Sequence, residues 1–201
     1  MSETAPETEP KNILSQDGEA QYFAGFFSQE QSDRWLQVLQ AKIEWKHESI
    51  IIFGKRVLQP RLTAFYGDSG REYRYSGITM QPAPWTNELS EIKIQIETKF
   101  GLKFNSALLN FYRNGEDSMG WHRDDEKELG QNPVIGSVSF GEARALQFKL
   151  VENKTIKTSV TLEHGSFLLM RGATQHHWYH AILKSKKVLG PRINITFRNI
   201  V

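Results

Sequence analysis

Three potential metal ligands that lie far apart in the chain place the strongest constraint on its fold. His122 and Asp124 are separated by one residue, and His180 follows Asp124 by 56 residues. Alternate side chains of an extended segment share a face, so His122 and Asp124 can point to one side. A distant strand that contributed His180 would complete two imidazole nitrogens and one carboxylate oxygen. That set is typical of Fe(II) sites that keep open coordination positions.

The spacing alone leaves alternatives open. A His-x-Asp pair followed by the acidic residues Asp125 and Glu126 also fits an ordinary solvated surface. His176 and His180 are four residues apart and would share a face in a strand. Spacing therefore does not choose the second imidazole, and the metal-site hypothesis needs support from elsewhere in the sequence.

Residues 192–198 supply that support because their polar and apolar side chains alternate. Arg192, Asn194, Thr196 and Arg198 would project from one face of a strand. Two buried arginines need anionic partners, and the guanidinium fork matches a carboxylate. The alternative is an edge strand with a solvated arginine face. Together with the three ligands, the pattern favours a bound dicarboxylate co-substrate such as 2-oxoglutarate.

Composition fits one globular domain. The 201 residues are 39% hydrophobic and include 12 Phe, 5 Trp and 6 Tyr. The absence of cysteine excludes disulfides and thiolate metal sites. No segment approaches the roughly 20 apolar residues that span a bilayer, and the N-terminus lacks a secretory pattern. We expect a soluble, intracellular monomer, cytoplasmic or nuclear, with no membrane association.

The order of elements predicts the fold class. Residues 1–16 are polar and acidic, which predicts a disordered tail before one domain at 17–201. Helices are expected at 28–42, with a capping box of Ser28 and Gln31, and at 86–100, ending at Gly101. Strands are expected near 50–53, 61–65, 104–112, 134–140, 145–150, 155–162, 166–170, 177–183 and 192–197. We predict a mainly β (α+β) fold, with the helices packed on one sheet of a sandwich.

Four motifs resemble the AlkB-type Fe(II)/2-oxoglutarate dioxygenases of nucleic acids, closest to the animal AlkB homologue two and three branch. They are Asn-Phe-Tyr at 110–112, His-Arg-Asp at 122–124, His-Trp-Tyr-His at 177–180 and the segment 192–198. Residues 60–61, 66–70, 73–77 and 188–192 also read like that branch. The resemblance implies a double-stranded β-helix (jelly-roll) core.

The activity that the resemblance implies is repair of N-alkylated bases in DNA, such as 1-methyladenine and 3-methylcytosine. Fe(II), 2-oxoglutarate and O₂ would hydroxylate the alkyl group of a flipped base, with release of formaldehyde and succinate. The expected partner is alkylated DNA, double- or single-stranded, and RNA remains open. The alternatives are an RNA demethylase with the same chemistry and a nucleic-acid-binding module with an inactive metal site.

The resemblance also assigns roles to residues. It selects His180 over His176, so that the metal ligands would be His122, Asp124 and His180. Residues expected to hold 2-oxoglutarate are Asn110, Tyr112, Arg192, Asn194, Thr196 and Arg198. Residues expected at the substrate are Phe53, Gly54, Arg61, Tyr73, Tyr75, Asp125 and Glu126.

Most of the expected substrate contacts fall in a nucleotide-recognition segment at about 49–85. Phe53 would be an apolar wedge that fills the gap left by a flipped base. The alternative is an ordinary hairpin in which the apolar residues near Phe53 belong to the core. Tyr75 stands where the branch more often has phenylalanine, which leaves the preferred lesion open.

Overall fold

The structure is a computed structural model that describes residues 10–52, 55–75, 78–187 and 189–201. The described strands, in chain order, are β1 (Glu19–Phe23), β2 (Ser49–Ile52), β3 (Lys55–Leu58), β4 (Leu62–Gly67), β5 (Tyr73–Tyr75), β6 (Ile78–Met80), β7 (Ser106–Tyr112), β8 (Met119–His122), β9 (Ile135–Gly141), β10 (Arg144–Leu150), β11 (Lys157–Leu162), β12 (Ser166–Arg171), β13 (Trp178–Ile182) and β14 (Arg192–Arg198). The helices are α1 (Gln29–Lys42), α2 (Asn87–Phe100) and the single turn α3 (Thr174–His177).

Two antiparallel sheets form the body of the protein. The larger sheet has the order β1-β12-β9-β14-β7-β4, and the smaller has the order β11-β10-β13-β8. Two separate hairpins, β2-β3 and β5-β6, lie in the segment from residue 49 to residue 80. The crossed strand order of the two facing sheets is that of a jelly roll. The mainly β, jelly-roll prediction is confirmed.

The helices begin and end where the sequence predicts. The Ser28 side chain accepts a hydrogen bond from the Gln31 backbone N–H, and the Gln31 side chain accepts one from the Ser28 backbone N–H. At the start of α2 the Thr86 side chain accepts a hydrogen bond from the Leu89 backbone N–H, and Gly101 ends the helix with a left-handed backbone (φ 64°). These contacts satisfy backbone groups that a helix end otherwise leaves without partners. Both helices therefore have sharp, sequence-encoded ends.

The larger sheet separates two hydrophobic cores. Its outer face packs against the helices, where Trp35 and Leu39 of α1 and Ile92 and Ile96 of α2 are buried. Its inner face packs against the smaller sheet, with Phe148 and other apolar side chains between them. Because side chains alternate along each strand, β14 sends Ile193, Ile195 and Phe197 to the helix side. Its polar residues are thereby directed between the sheets.

The N-terminal prediction needs a correction. Leu14 is only 4% exposed and packs in the core between the sheets. The Asn12 side chain accepts hydrogen bonds from the backbones of Leu14 (3.2 Å) and Ala20 (2.8 Å). The Trp178 ring donates to the Gln16 carbonyl at 2.9 Å. Residues 12–16 are therefore packed on the domain, because two adjacent apolar side chains, Ile13 and Leu14, and the Asn12 amide anchor the segment. Residues 1–9 lie outside the described residues.

Several shorter elements are absent from the sequence prediction. Strands β1, β3, β5 and β6 and the turn α3 are too short or too polar to give a clear periodic signal. None of the described helices is both long and apolar enough to cross a membrane.

Candidate metal and co-substrate site

The smaller sheet brings the three predicted ligands together. His122 is the last residue of β8 and lies directly opposite His180 on β13. Asp124 follows two residues after β8, so it lies in the adjoining loop and not in the strand that its spacing suggested. The candidate ligand atoms of the three residues all lie within 4.8 Å of one another. The cluster can therefore enclose a metal ion from one side.

The two imidazoles have the neutral form that a metal ligand requires. The Nδ1 of His122 lies 2.9 Å from the Gly120 carbonyl, which can only accept a hydrogen bond. That contact places the ring proton on Nδ1 and leaves the Nε2 lone pair for a metal. Desolvation lowers the pKa of His122, although Asp124 opposes the shift. Burial, with a smaller contribution from His122, lowers the pKa of His180 to about 3.

The Asp124 carboxylate is ionised and held in place. Burial by itself would raise the pKa of Asp124, but the Arg198 guanidinium, together with smaller contributions from His180 and His122, more than offsets it, and the pKa falls to about 2. Arg198 donates to Oδ1 of Asp124 at 2.8 Å, and both side chains are almost fully buried. The Asp124 backbone N–H donates to Oε1 of Gln175 at 3.0 Å. Arg198 of β14 and Gln175 of α3 thus hold Asp124 in place, although Asp124 lies in a loop.

The polar face of β14 lines the same cavity as the three ligands. Arg192, Asn194, Thr196 and Arg198 all border this cavity, together with Tyr112 of the neighbouring strand. The alternation predicted for residues 192–198 is therefore confirmed in its direction.

Arg192 is a buried cation with unused donors, as is Arg198, whose Nε and Nη1 also make no hydrogen bond to any described residue although its Nη2 is bonded to Asp124. It is 1% exposed, and its Nη2 donates to the Ser139 hydroxyl at 2.9 Å. Its Nε and Nη1 make no hydrogen bond to any described residue. The guanidinium lies 5.0 Å from the centre of the Tyr112 ring. Burial lowers the pKa of Arg192, and an arginine stays charged in proteins. The Nε and Nη1 groups of this buried cation are thus free to donate to an anion such as a carboxylate.

The Arg144 guanidinium lies near the same Tyr112 ring, but it is bonded to backbone carbonyls. Its guanidinium is 5.7 Å from the Tyr112 ring centre. It donates to the carbonyls of Asn114 (3.2 Å), Asp117 (3.1 Å) and Leu183 (2.7 Å). Arg144 therefore joins β10 to two loops, the one between β7 and β8 and the one after β13, whereas Arg192 borders the cavity with unused donors.

The predicted amide ligands are engaged within the protein. Asn194 donates its two amide protons to the Ser137 hydroxyl (2.8 Å) and the Val138 carbonyl (2.9 Å), and its oxygen accepts from Thr196 (3.1 Å). As placed, Asn194 has no proton left for a carboxylate. Asn110 accepts a hydrogen bond from Nε of Arg61 at 2.6 Å, which leaves its amide protons available.

Two residues expected at the substrate lie inside the protein. Arg61 is 3% exposed and contacts Asn110 and the Ser118 carbonyl. Tyr73 is fully buried, with the Arg198 guanidinium 5.5 Å from its ring centre. The Tyr73 ring is therefore not exposed for stacking on a base. Arg61 is held by Asn110 of β7, and Tyr73 packs in the core between the two sheets. Periodicity alone does not reveal these contacts.

Asp125 and Glu126, the two acidic residues after the ligand Asp124, differ in exposure. Asp125 is half-exposed and makes an ion pair with Arg123 at 2.5 Å. Glu126 is largely buried, and burial raises its pKa, with Asp124 adding to the shift. Phe53 and Gly54 lie outside the described residues, as does the side chain of Tyr75. For those three the substrate role stays a prediction.

Comparison with known proteins adds an independent line of evidence. Residues 19–198 match the model of the 2OG-Fe(II) oxygenase superfamily. Human DNA oxidative demethylase ALKBH2 is 38% identical over 185 residues, which are 87% of this chain and 71% of the relative. The chain belongs to the AlkB-type 2-oxoglutarate/Fe(II) oxygenases. The predicted cofactors, Fe(II) and 2-oxoglutarate, are those of this family and are confirmed.

Other AlkB-type relatives agree. Human alkB homolog 3, an alpha-ketoglutarate-dependent dioxygenase, is 40% identical over 187 residues, covering 89% of this chain and 65% of the relative. The bovine ALKBH2 protein is 38% identical and the chain spans 66% of its length. The solved structure of OsALKBH1 superposes with a TM-score of 0.67 at 17% identity, over 92% of this chain and 99% of the other. The chain thus spans about two thirds of the length of the ALKBH2 and alkB homolog 3 relatives compared here.

The residues present fit the family's cofactors. Two neutral imidazoles and one carboxylate on one side of a cavity are the donor set of a non-haem Fe(II) site. The unused donors of Arg192 suit a carboxylate at the other end of the same cavity. Gln175 and Arg144 were missed from the sequence. The one available signal for Gln175 was its place five residues before His180.

Proposed function

We propose that the protein removes N-linked alkyl groups from DNA bases by oxidation, and that His122, Asp124 and His180 hold the Fe(II). The observation that carries the proposal is the opening of this ligand cluster into one cavity with the unused donors of Arg192. Support for the substrate comes from the relatives named DNA oxidative demethylase.

Arg192 and Arg198 have different tasks in this proposal. Arg198 is paired with Asp124 and keeps this carboxylate ionised beside the metal position. The Nε and Nη1 groups of Arg192 are free to donate to a carboxylate. The Tyr112 hydroxyl on the neighbouring strand, whose present contact is a weak one with Sδ of Met119 at 3.9 Å, can turn to add a further hydrogen bond. We therefore assign Arg192 and Tyr112 to the 2-oxoglutarate carboxylate remote from the metal. Asn110, with its oxygen occupied by Arg61, offers amide protons to the co-substrate.

The remaining predicted residues support the site or face the base. When bound, Fe(II) and 2-oxoglutarate supply the activation of O₂ that hydroxylates an alkyl C–H bond. Tyr73 packs against Arg198. On the cavity wall, the Thr196 hydroxyl donates a hydrogen bond to the Asn194 side-chain oxygen. Asp125 and Glu126 lie next to the ligand Asp124, where negative charge would favour a cationic methylated ring. Phe53, Gly54 and Tyr75 are proposed to contact the flipped nucleotide.

The test is mass spectrometry of oligonucleotides that contain 1-methyladenine or 3-methylcytosine. Single-stranded DNA, duplex DNA and RNA are each incubated with the protein, Fe(II), 2-oxoglutarate and ascorbate, and formaldehyde and succinate are quantified. We expect loss of the methyl mass from DNA, and no loss with Asp124→Ala. Demethylation of RNA alone would replace the DNA assignment, and nucleic-acid binding without succinate release would indicate an inactive metal site.

A further inference from the structure

The outer face of the smaller sheet carries a lysine held between two aromatic rings. The Lys149 ammonium lies 4.0 Å from the centre of the Trp121 ring and 5.6 Å from that of Tyr179. These three residues, which we call the lysine patch, lie on β10, β8 and β13 and are partly exposed. Their neighbours in sequence, Phe148, His122 and His180, point to the opposite side of the sheet, as strand alternation requires.

The Lys149 ammonium contacts aromatic rings rather than an anion within the described part of the chain. Among the residues that the structure describes, no carboxylate lies within ion-pair distance of its ammonium, and it donates no hydrogen bond. Its contacts are the two rings, which orient the ammonium and leave its N–H groups free. Arg123 lies over the other part of the Tyr179 ring at 5.2 Å, but it is already paired with Asp125 and bonded to the His176 carbonyl.

The surrounding sheet face favours an anion. Lys157 lies directly across from Lys149 on β11 and is exposed. The outward positions of β10 and β11 include no acidic residue; they are Ala145, Gln147, Lys149, Lys157, Ser159 and Thr161. A positive surface with half-exposed rings combines the two features that bind single strands, namely attraction of phosphates and stacking surfaces for bases.

The lysine patch also lies next to the proposed metal site. Trp121 directly precedes His122, and β8 is an edge strand of the smaller sheet. A nucleic-acid strand with one base in the cavity can therefore pass over the β8 edge onto the outer face. Strands in a sheet are about 4.8 Å apart, so Lys149 on β10 lies about 10 Å from that edge.

We infer that the lysine patch binds the phosphate backbone of the substrate strand next to the base that occupies the cavity. This inference rests on the proposed function, because it takes a nucleic acid as the substrate. The competing reading is structural: an exposed cation–π contact contributes about 0.5–1 kcal/mol to folding and nothing to binding. The two readings differ in their response to salt, since only a phosphate contact releases counterions.

The experiment measures binding of the full chain to a fluorescein-labelled, unmodified oligothymidylate at several salt concentrations. Lys149→Gln should weaken binding about three- to tenfold, and the plot of log affinity against log salt should become shallower by about 0.7. Lys149→Arg should restore most of both. Lys103→Gln is the matched control, because Lys103 is 87% exposed just after α2 on the helix side of the domain. It should leave both quantities unchanged.

The proposed phosphate contact of the lysine patch would be excluded if Lys149→Gln and Lys103→Gln both had the affinity and the salt slope of the wild type. Melting curves of each variant show whether the fold is intact. Turnover of a methylated oligonucleotide by the wild type is measured in parallel. Turnover with an unchanged Lys149→Gln slope overturns the patch and leaves the function standing. A shallower slope without any turnover supports the patch as a nucleic-acid contact and overturns the demethylase activity.

Discussion

Replacement of Arg192 by methionine should weaken the co-substrate site far more than the fold. The substitution removes a buried guanidinium whose Nε and Nη1 have no partner. Replacing buried ionic groups by apolar side chains of similar volume is often neutral or stabilising by about 1–4 kcal/mol. Loss of the contact with the Tyr112 ring costs about 1 kcal/mol. The Ser139 hydroxyl also loses the hydrogen bond that Nη2 donates to it, at about 1 kcal/mol. The free energy of unfolding of the ligand-free Arg192→Met protein should therefore lie within about 2 kcal/mol of that of the wild type.

The affinity of Arg192→Met for 2-oxoglutarate should fall strongly. Each hydrogen bond to a charged group contributes about 1.5–3 kcal/mol, so two such bonds contribute about 3–6 kcal/mol. Every 1.4 kcal/mol is a tenfold change, and the Kd for 2-oxoglutarate should rise at least a hundredfold in Arg192→Met. The increase in stability that 2-oxoglutarate gives the wild type should disappear as well, because it depends on the ratio of ligand concentration to Kd.

Calorimetry with the Mn(II)-loaded protein measures the affinity, and urea unfolding with and without 2-oxoglutarate measures the stability. Arg144→Met is the matched control: it removes an arginine from the same tyrosine ring, but one that serves three backbone carbonyls. Leaving buried carbonyls without partners costs about 1–3 kcal/mol each, so Arg144→Met should be clearly less stable. An Arg192→Met protein that unfolds more easily and still binds 2-oxoglutarate normally would refute the reasoning.

Three further outcomes follow from the same geometry. Gln175→Leu removes the acceptor of the Asp124 backbone N–H and should lower the affinity for Mn(II) about 10- to 100-fold. An unchanged affinity in a Mn(II) titration would mean that Asp124 keeps its position without Gln175. His180 has a pKa of about 3 in the metal-free protein and about 6.5 in the unfolded chain. Between these two pH values the unfolded chain carries a proton on His180 and the folded protein does not. Stability should therefore fall as pH drops below about 6.5, by about 1.4 kcal/mol per pH unit, and urea unfolding of His180→Asn should lack this component. Phe53→Ala should reduce repair of methylated duplex about tenfold or more and spare single strands; equal losses on both, with a lower melting temperature, would assign Phe53 to the core.

The parts of the fold that follow local rules could be predicted from the sequence. The ends of α1 and α2 depend on side chains within three residues of each end, and the prediction of both was confirmed. The inward face of β14 follows from strict alternation over seven residues. These features need no knowledge of distant contacts, which is why one sequence is enough to predict them.

The supporting contacts of the site could not be predicted because they join distant segments. Arg198 and Asp124 are 74 residues apart, and Gln175 is 51 residues from the backbone that it holds. Arg61 and Tyr73 show a related limit: a strand pattern tells which residues share a face, but not which face another layer covers. Both were expected at the substrate, and both lie between layers of the protein.

The arrangement of charges couples the two ligands of the cavity. Arg192, Arg198 and ionised Asp124 together carry a charge of +1 before anything binds. Fe(II) or Mn(II) raises this sum to +3, and the 2-oxoglutarate dianion returns it to +1. Arg198 contacts only one oxygen of Asp124, Oδ1, so a metal ion can share this carboxylate with the arginine. Each ligand should then bind more tightly when the other is present, by the same factor, since coupling free energies are reciprocal. Equal affinities for 2-oxoglutarate with and without Mn(II) would show that the arginines, and not the metal, determine co-substrate binding.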